Sequence, residues 1–514
     1  MNNFEIELRN KPLKDILIEN KVFDEELPMD EYHLIMAQTD FLSGIHNRKT
    51  VKTYFYRSVP FDGSYIITTG LAAFLAKLHN FSYKQIVPYL KNKNYNSDFI
   101  NYVSSRDKIE VVVYAIPENS PAFPHEPIII LESNLLDSRI LEGIILSELN
   151  FPSLVATKWH RILNVVGELP TMEFGRRRAQ NSLKASLYSY IAGVNASSNC
   201  EANGLFGIPV SGTMGHEYVQ SFTSEFEAFD KWLEINPLKP CLLIDTINTL
   251  DSGIVNAIKA FKKHKDNLVK LNSWDKICVR IDSGDLAYLA VECYNKLSSS
   301  LNTENVTIVL SNDLDEYNIE SIFSQLNQAN KSNVIKRLSF GIGTKAVTAW
   351  GEPALGGVCK ISEIDDSYIL KISNYNEKTT IPGNLRSSLV TDEFGQFITC
   401  LLYFKDEDLS LINKFMHIND ERKFIIKSDS LFINETRQKL VYKSNGESFE
   451  FLSPYGTQSI EEIRNNINNE INKLDWYYKR LVKPHRVKVS LSPKLFNIRK
   501  HMMSENLLYM KKWI

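Results

Sequence analysis

Ile277-Cys278-Val279-Arg280-Ile281 runs straight into Asp282-Ser283-Gly284-Asp285-Leu286. A short, mostly apolar run stops at carboxylates, a hydroxyl and a glycine, and a helical stretch follows. The same rhythm surrounds it. Cys241 to Ile244 ends at Asp245, Thr307 to Leu310 at Ser311, and Leu338 to Phe340 at Gly341. Upstream, Met172 to Phe174 ends at Gly175, and Ile208 to Ser211 runs into GTMGH. From Asp245 onward these ends recur every thirty-odd residues, the length of a strand, a crossover helix and a return to a parallel strand. Strands apolar throughout suit a sheet covered on both faces. Polar groups at the carboxyl ends of parallel strands sit where α/β barrels place their chemistry. The expected fold class is α/β, with a barrel over residues 150–383. The repeat falls short of eight clean units, so the barrel is expected to be irregular.

Outward from this core, residues 1–149 mix strand and helix signals and read as an N-terminal α/β domain. Val51 to Tyr56 is rich in β-formers, Gly70 to His79 has amphipathic helical spacing, and Ile109 to Ile116 and Pro127 to Leu131 read as strands. Residues 384–514 form a C-terminal extension, either a third lobe or a segment packed back on the N-terminal domain. Within it, Ile460 to Leu474 has helical spacing and Val487 to Pro493 reads as a strand and turn.

A chain of 514 residues is long for one core. Its net charge of −2 supplies no field for nucleic acid or an anionic membrane, and neither partner is expected. The longest apolar runs, such as Ile128 to Leu131, are too short to span a bilayer, and the opening MNNFEIELRN lacks the apolar segment of a signal peptide. The six cysteines include no CxxC pair. They read as small buried residues in a reducing compartment, not as a disulfide frame or zinc site. A cytoplasmic protein is expected.

The strand ends carry the candidate chemistry. Three arginines, Arg176, Arg177 and Arg178, follow Glu173-Phe174-Gly175. On a helix they would fan out over most of its circumference, and a helix N-terminus would add positive partial charge to an anion site; the alternative is a solvated basic turn. His216 lies in a glycine-flanked loop. It is a candidate base or phosphorus nucleophile, or a structural hydrogen-bonder. Asp282 and Asp285 could hold Mg2+ or a ribose diol, or form a turn with a helix N-cap. Ser311 to Glu316 carries the same ambiguity. Gly341-Ile342-Gly343-Thr344-Lys345 could cradle a phosphate on backbone N–H groups but lacks the spacing of a Walker or dinucleotide loop. Jointly these features suit a highly phosphorylated substrate.

In order and spacing, these motifs resemble the nicotinate phosphoribosyltransferases. DEYHLIMA from Asp30 is similar to the family's TDLYxLTMA, EFGRRRAQ to EFGxRRAQG, and SGTMGHEYV to GTxxHxxV. LIDT, RIDSGDL, NDLDEY and FGIGT follow in the family's order, then ALGGVCKISEI, EKTTIPGN from Glu377, and PHRVKVSLSP. Departures occur at Met29, Arg176, Asn181 and around Asn203. The resemblance implies an N-terminal α/β domain, an irregular barrel, and a homodimer with active sites at the interface. It implies transfer of the ribosyl 5-phosphate of phosphoribosyl pyrophosphate to nicotinate, with ATP as co-substrate and Mg2+ as cofactor, in NAD biosynthesis and pyridine nucleotide salvage. Phe174 would stack on one face of the pyridine, and Tyr32, beside Asp30, would reach in from the partner subunit. Arg177 and Arg280 match arginines near the pyridine and pyrophosphate. Asp282, Ser283, Gly284, Asp285, Gly341, Gly343 and Thr344 match the ribose and phosphate site, and His216 the histidine that ATP phosphorylates.

Two rival functions frame these expectations. The related nicotinamide enzyme has an aspartate that accepts from the amide; its position falls at Ser198 here, and a neutral serine does not repel a carboxylate as that aspartate would. A catalytically silent homologue that binds pyridine nucleotides would have no need of His216.

Overall fold

The computed structural model describes residues 3–22, 27–373 and 378–511. Glu377, which opens the EKTTIPGN motif, lies outside them. The chain divides into two compact units, Lys158–Trp350, and Asn2–Thr157 together with Gly351–Ile514.

The sequence pattern places an α/β barrel over 150–383, but Gly357–Ile364 pairs antiparallel with Lys49–Tyr56 in the second unit. Lys158–Trp350 carries the barrel, and it is irregular. Its six-stranded sheet runs, in spatial order, Ala196–Ser197, Thr171–Glu173, Leu338–Ile342, Thr307–Leu310, Cys278–Ile281, Cys241–Leu243. Every neighbouring pair is parallel. The last strand in sequence pairs with the first, through Phe340 opposite Thr171. Val210 adds a parallel bridge to Ser197. Among the described residues no ladder joins Val210 to Cys241, so one seam stays open. Thr307–Leu310 and Cys278–Ile281 end where the sequence pattern puts them, and the strands ending at Glu173 and Leu243 stop one residue earlier. Leu338–Ile342 runs two residues past Phe340, and Ile208 to Ser211 gives only the Val210 bridge. Ala196–Ser197, two residues long, carried no readable pattern.

The crossover helices form for the usual reasons. Leu286–Leu301 buries Leu286, Ala290, Cys293, Leu297 and Leu301, a stripe at three- and four-residue spacing. Full burial of each leucine stabilises by roughly 1.5–3 kcal/mol. Asp285 caps this helix by accepting from Tyr288 N–H, and Asn302 ends it with φ 55°. Asp315 caps Glu316–Gln328 in the same way through Asn318 N–H.

The second unit is dominated by antiparallel pairing. Its seven-stranded sheet runs Ser367–Tyr368, Gly357–Ile364, Lys49–Tyr56, Ile129–Asn134, Glu110–Ala115, Lys439–Asn445, Phe449–Phe451. The C-terminal extension thus adds a strand beside Glu110–Ala115. It also builds a six-stranded sheet of its own, around a core of Val390, Leu401, Tyr403, Ile412 and Phe415.

Helix Leu135–Val166 carries the chain past Thr157, and residue 150, where the sequence rhythm changes, lies inside it. It is the one described helix long and apolar enough to cross a membrane, but 72% of its apolar window is buried within the protein, as in a core helix. Glu142, Glu148 and Lys158 break up its apolar runs, which hides its length in the sequence. The cysteine expectation needs correction. Cys241 and Cys278, register partners on adjacent parallel strands, form a disulfide, and Cys200 is exposed. Sheet register, not sequence spacing, brings that pair together.

Candidate active site

Because all barrel strands are parallel, their carboxyl ends share one rim, and the polar residues that end them meet there. Arg280, the penultimate residue of Cys278–Ile281, is the hub. Its Nε donates to Ser311 Oγ at 2.8 Å, its Nη1 to Thr213 Oγ1 at 3.0 Å, and its Nη2 pairs with Asp282 Oδ1 at 2.9 Å. Ser311 Oγ also donates to that same carboxylate oxygen. The guanidinium carbon lies 5.5 Å from the centroid of the Phe174 ring. A fork of five fixed donors suits this convergence.

Phe174 is held as a platform. Its N–H donates to Ile342 O at 2.8 Å. Its ring lies so close to Gly341 that a Cβ there would come within 2.5 Å of it. Glycine at 341 is therefore a steric requirement of the ring's position.

His216 opens the short helix His216–Gln220. Its Nδ1 is 3.1 Å from Thr246 Oγ1 and its Nε2 is 3.8 Å from Asp282 Oδ2. The first distance fixes the ring; the second is beyond a hydrogen bond. The imidazole is 43% exposed, so one edge stays open to a ligand. Asp245 organises the neighbouring turn, accepting from Asp282 N–H at 2.9 Å and Ser283 Oγ at 2.5 Å. Gly284 completes that turn with φ +80°.

Lys345 has a structural partner. It donates to Asp315 at 2.8 Å. Burial works against the Asp315 carboxylate, but the hydrogen bonds from Lys345 and Asn318 N–H hold it below the usual range. Among the described residues no cluster of three or more His, Cys, Asp or Glu could hold a metal ion.

A rim bearing an arginine fork, an aromatic platform and an open histidine fits several phosphate chemistries. Comparison with known proteins narrows them. Residues 27–150 match the nicotinate phosphoribosyltransferase N-terminal domain, 169–397 the nicotinate phosphoribosyltransferase family, and 414–499 the C-terminal domain. The nicotinate phosphoribosyltransferase of Bacillus subtilis is 31% identical over 482 residues, covering 91% of this chain and 92% of that one. The chain belongs to the nicotinate phosphoribosyltransferase family. The Caenorhabditis elegans nicotinate phosphoribosyltransferase is 29% identical, covering 92% of each chain. The crystal structure of human nicotinic acid phosphoribosyltransferase has the same fold, with a TM-score of 0.73 at 23% identity over 92% of this chain and 99% of that chain.

Of the nicotinate phosphoribosyltransferase motif residues, the rim brings together Phe174, His216, Arg280, Asp282, Ser283 and Gly341. Gly343 precedes, and Thr344 opens, the short helix Thr344–Val347. Asp285 spends Oδ1 on its helix cap. Ser198 is half-buried, with its N–H on Glu173 O at 2.8 Å. Arg177 is exposed, and here a helix expectation fails. Residues 176–178 form a turn, with Arg178 N–H bonded to Gly175 O, and the helix begins only at Ser182. Asp30 and Tyr32 belong to the other unit. Asp30 caps Glu31–Leu42 in a capping box with His33, and Tyr32 is 47% exposed. Partial burial, then Glu142 and Asp30, raise the Tyr32 phenol above its usual range. Sequence reasoning missed Glu173, Thr213, Asp245 and Thr246 as site residues, and left Ser311 in a stretch readable as a ligand site or a helix cap. Asp245 was visible only as the polar end of a strand.

Proposed function

We propose that the rim of the barrel joins nicotinate to C1 of phosphoribosyl pyrophosphate, releasing pyrophosphate, and couples this to ATP hydrolysis through a phosphoryl group on His216. The observation that carries the reading is the Arg280 fork, which bridges the Phe174 platform to the Asp282 carboxylate. The pyridine stacks on Phe174, while Arg280 and Arg177 offer charge to the nicotinate carboxylate and the pyrophosphate. Ser198 leaves room for the substrate's negative charge. As the C1–O bond breaks, positive charge grows on the ribose, and Asp282 is the carboxylate placed to offset it. The pyridine nitrogen is nucleophilic without a strong base, so the site's main task is alignment, worth about 7 kcal/mol or more.

Asp282, Ser283, Gly284 and Asp285, with Gly341, Gly343 and Thr344, receive the ribose and phosphates. Mg2+ fits as an ion brought by the phosphates and touched by one or two carboxylates, since the described residues supply no cage of their own. Asp282 and the free oxygen of Asp285 are the candidates. When bound, it would neutralise charge on the leaving pyrophosphate. The working form is a cytoplasmic homodimer in which Asp30 and Tyr32 complete the neighbouring subunit's pyridine site; the exposure of Tyr32 supports this. Product formation from nicotinate, nicotinamide and quinolinate, each with and without ATP, tests the reading. Nicotinate should be used far better than the others and be stimulated by ATP. An equal or higher kcat/KM for nicotinamide would overturn it.

A further inference from the structure

Glu173 ends the strand Thr171–Glu173 and is fully buried. Its carboxyl accepts three hydrogen bonds. Oε1 takes Gly175 N–H. Oε2 takes Ser186 Oγ at 2.9 Å and Ser197 Oγ at 2.5 Å. Its main-chain carbonyl accepts Ser198 N–H at 2.8 Å.

The pattern of these bonds is specific. Glu173 and Gly175 flank Phe174; Ser197 and Asn199 flank Ser198. One side chain therefore ties the residue after the aromatic platform to the residue before the substrate-selecting serine. Ser197 Oγ passes the restraint on by accepting Asn199 N–H at 3.0 Å. Asn199 Nδ2 donates to Ser186 Oγ at 3.1 Å, and Asn199 Oδ1 accepts Arg176 Nε at 3.3 Å. The network closes on itself and reaches the first of the three arginines.

We propose that Glu173 is the positioning residue of the pyridine site, the buried acceptor that sets the distance between the Phe174 platform and Ser198. It touches no substrate and acts through its hydrogen-bonded neighbours. The inference rests on the pyridine-site reading given above. Its cost is distinctive: a carboxyl group taken fully out of water contributes little to stability even when hydrogen-bonded. Glutamine fills the same volume but replaces one acceptor with an NH2 donor. If that NH2 faces Gly175, two N–H groups oppose each other. If it faces Ser186 and Ser197, their own hydrogens lose their acceptor. Either way the spacing relaxes while the packing is kept.

The test compares Glu173→Gln and Ser197→Ala with the wild-type protein in nicotinate titration calorimetry, steady-state kinetics and melting. Glu173→Gln should raise KM and Kd for nicotinate about tenfold and leave KM for phosphoribosyl pyrophosphate within about twofold. Its Tm should stay within about 2 °C of wild type. Ser197→Ala removes one donor and should raise the nicotinate KM about threefold, with the same selectivity. Unchanged nicotinate affinity in both folded variants would overturn the inference alone. So would an equal rise in both KM values accompanied by a lowered Tm, which marks a merely structural residue. A wild-type protein that neither binds nor turns over nicotinate would overturn the functional reading as well.

Discussion

Arg280 and Arg437 show how the same chemistry serves different ends in the two units. Arg437 donates to Glu126 at 2.5 Å, Glu470 at 2.5 Å and Pro121 O at 2.8 Å, and its side chain is 3% exposed beside a Glu126 that is fully buried. Glu126 in turn accepts from Ser387 Oγ, which also accepts from Gln438. The guanidinium is buried among these partners, although its Nε makes no hydrogen bond. Arg280 bonds to three side chains, but these acceptors lie on a strand-end rim, Asp282 is partly exposed, and His216 stops 3.8 Å short of Asp282. A buried polar network ties a strand, a helix and loops together; an open one leaves capacity for a ligand. The residue types do not separate these cases. The exposure and incomplete pairing of the neighbours do.

The comparison can be broken first at Arg437. Arg437→Ala strands two carboxylates, one of them fully buried, and should cost about 3–5 kcal/mol of stability. In denaturant melts the midpoint should fall sharply. A melt like wild type would mean the buried network is not structural. Arg280→Lys should do the opposite: kcat/KM falls about 100-fold, because lysine cannot span Ser311, Thr213 and Asp282 together, while the melt barely moves. Loss of stability with retained kcat/KM would reverse the roles assigned to the two arginines.

A moderate effect is expected from mixing inactive proteins. If Tyr32 of one subunit completes the Phe174 platform of another, Tyr32→Ala and Phe174→Ala proteins should each bind nicotinate weakly. Their mixture should regain up to about a quarter of wild-type activity, because a mixed dimer holds one intact site. No recovery after confirmed subunit exchange would place both rings on one chain.

An effect away from both networks concerns pH. Glu118 is fully buried, and burial pushes its pKa up to about 7 although Gly70 and Ala72 N–H groups donate to it. The folded protein then holds a proton that the unfolded chain gives up near the ordinary value of 4.5. Its stabilising contribution is fully present below that value and is lost as pH rises through about 7. Glu118→Gln should therefore gain on wild type between pH 5 and 8, by up to about 3 kcal/mol. A stability difference that stays flat over this window would contradict the assignment.

Much of the barrel was legible because its strands are apolar throughout and end on a polar residue, so each strand end announces itself. Ala196–Ser197 was not, since two residues carry no period. The pairing of Lys439–Asn445 with Glu110–Ala115 joins segments over 300 residues apart, which local pattern cannot register. Within the site, Asp282 and His216 were legible through unusual neighbours. Asp245 showed only as a strand end, and Ser311 sat in a stretch that reads as a cap, in which Asp315 is one. Only the sheet's register shows which strand-end polar groups converge.

The central claim is that the open side of the rim network does chemistry, and His216 tests it most directly. Wild type and His216→Ala should be exposed side by side to ATP labelled at the γ-phosphate and analysed for acid-labile protein phosphate. The account predicts label on wild type and none on His216→Ala, with ATP hydrolysis lost and some ATP-independent product retained. Undiminished acid-labile label on the His216→Ala protein would contradict it.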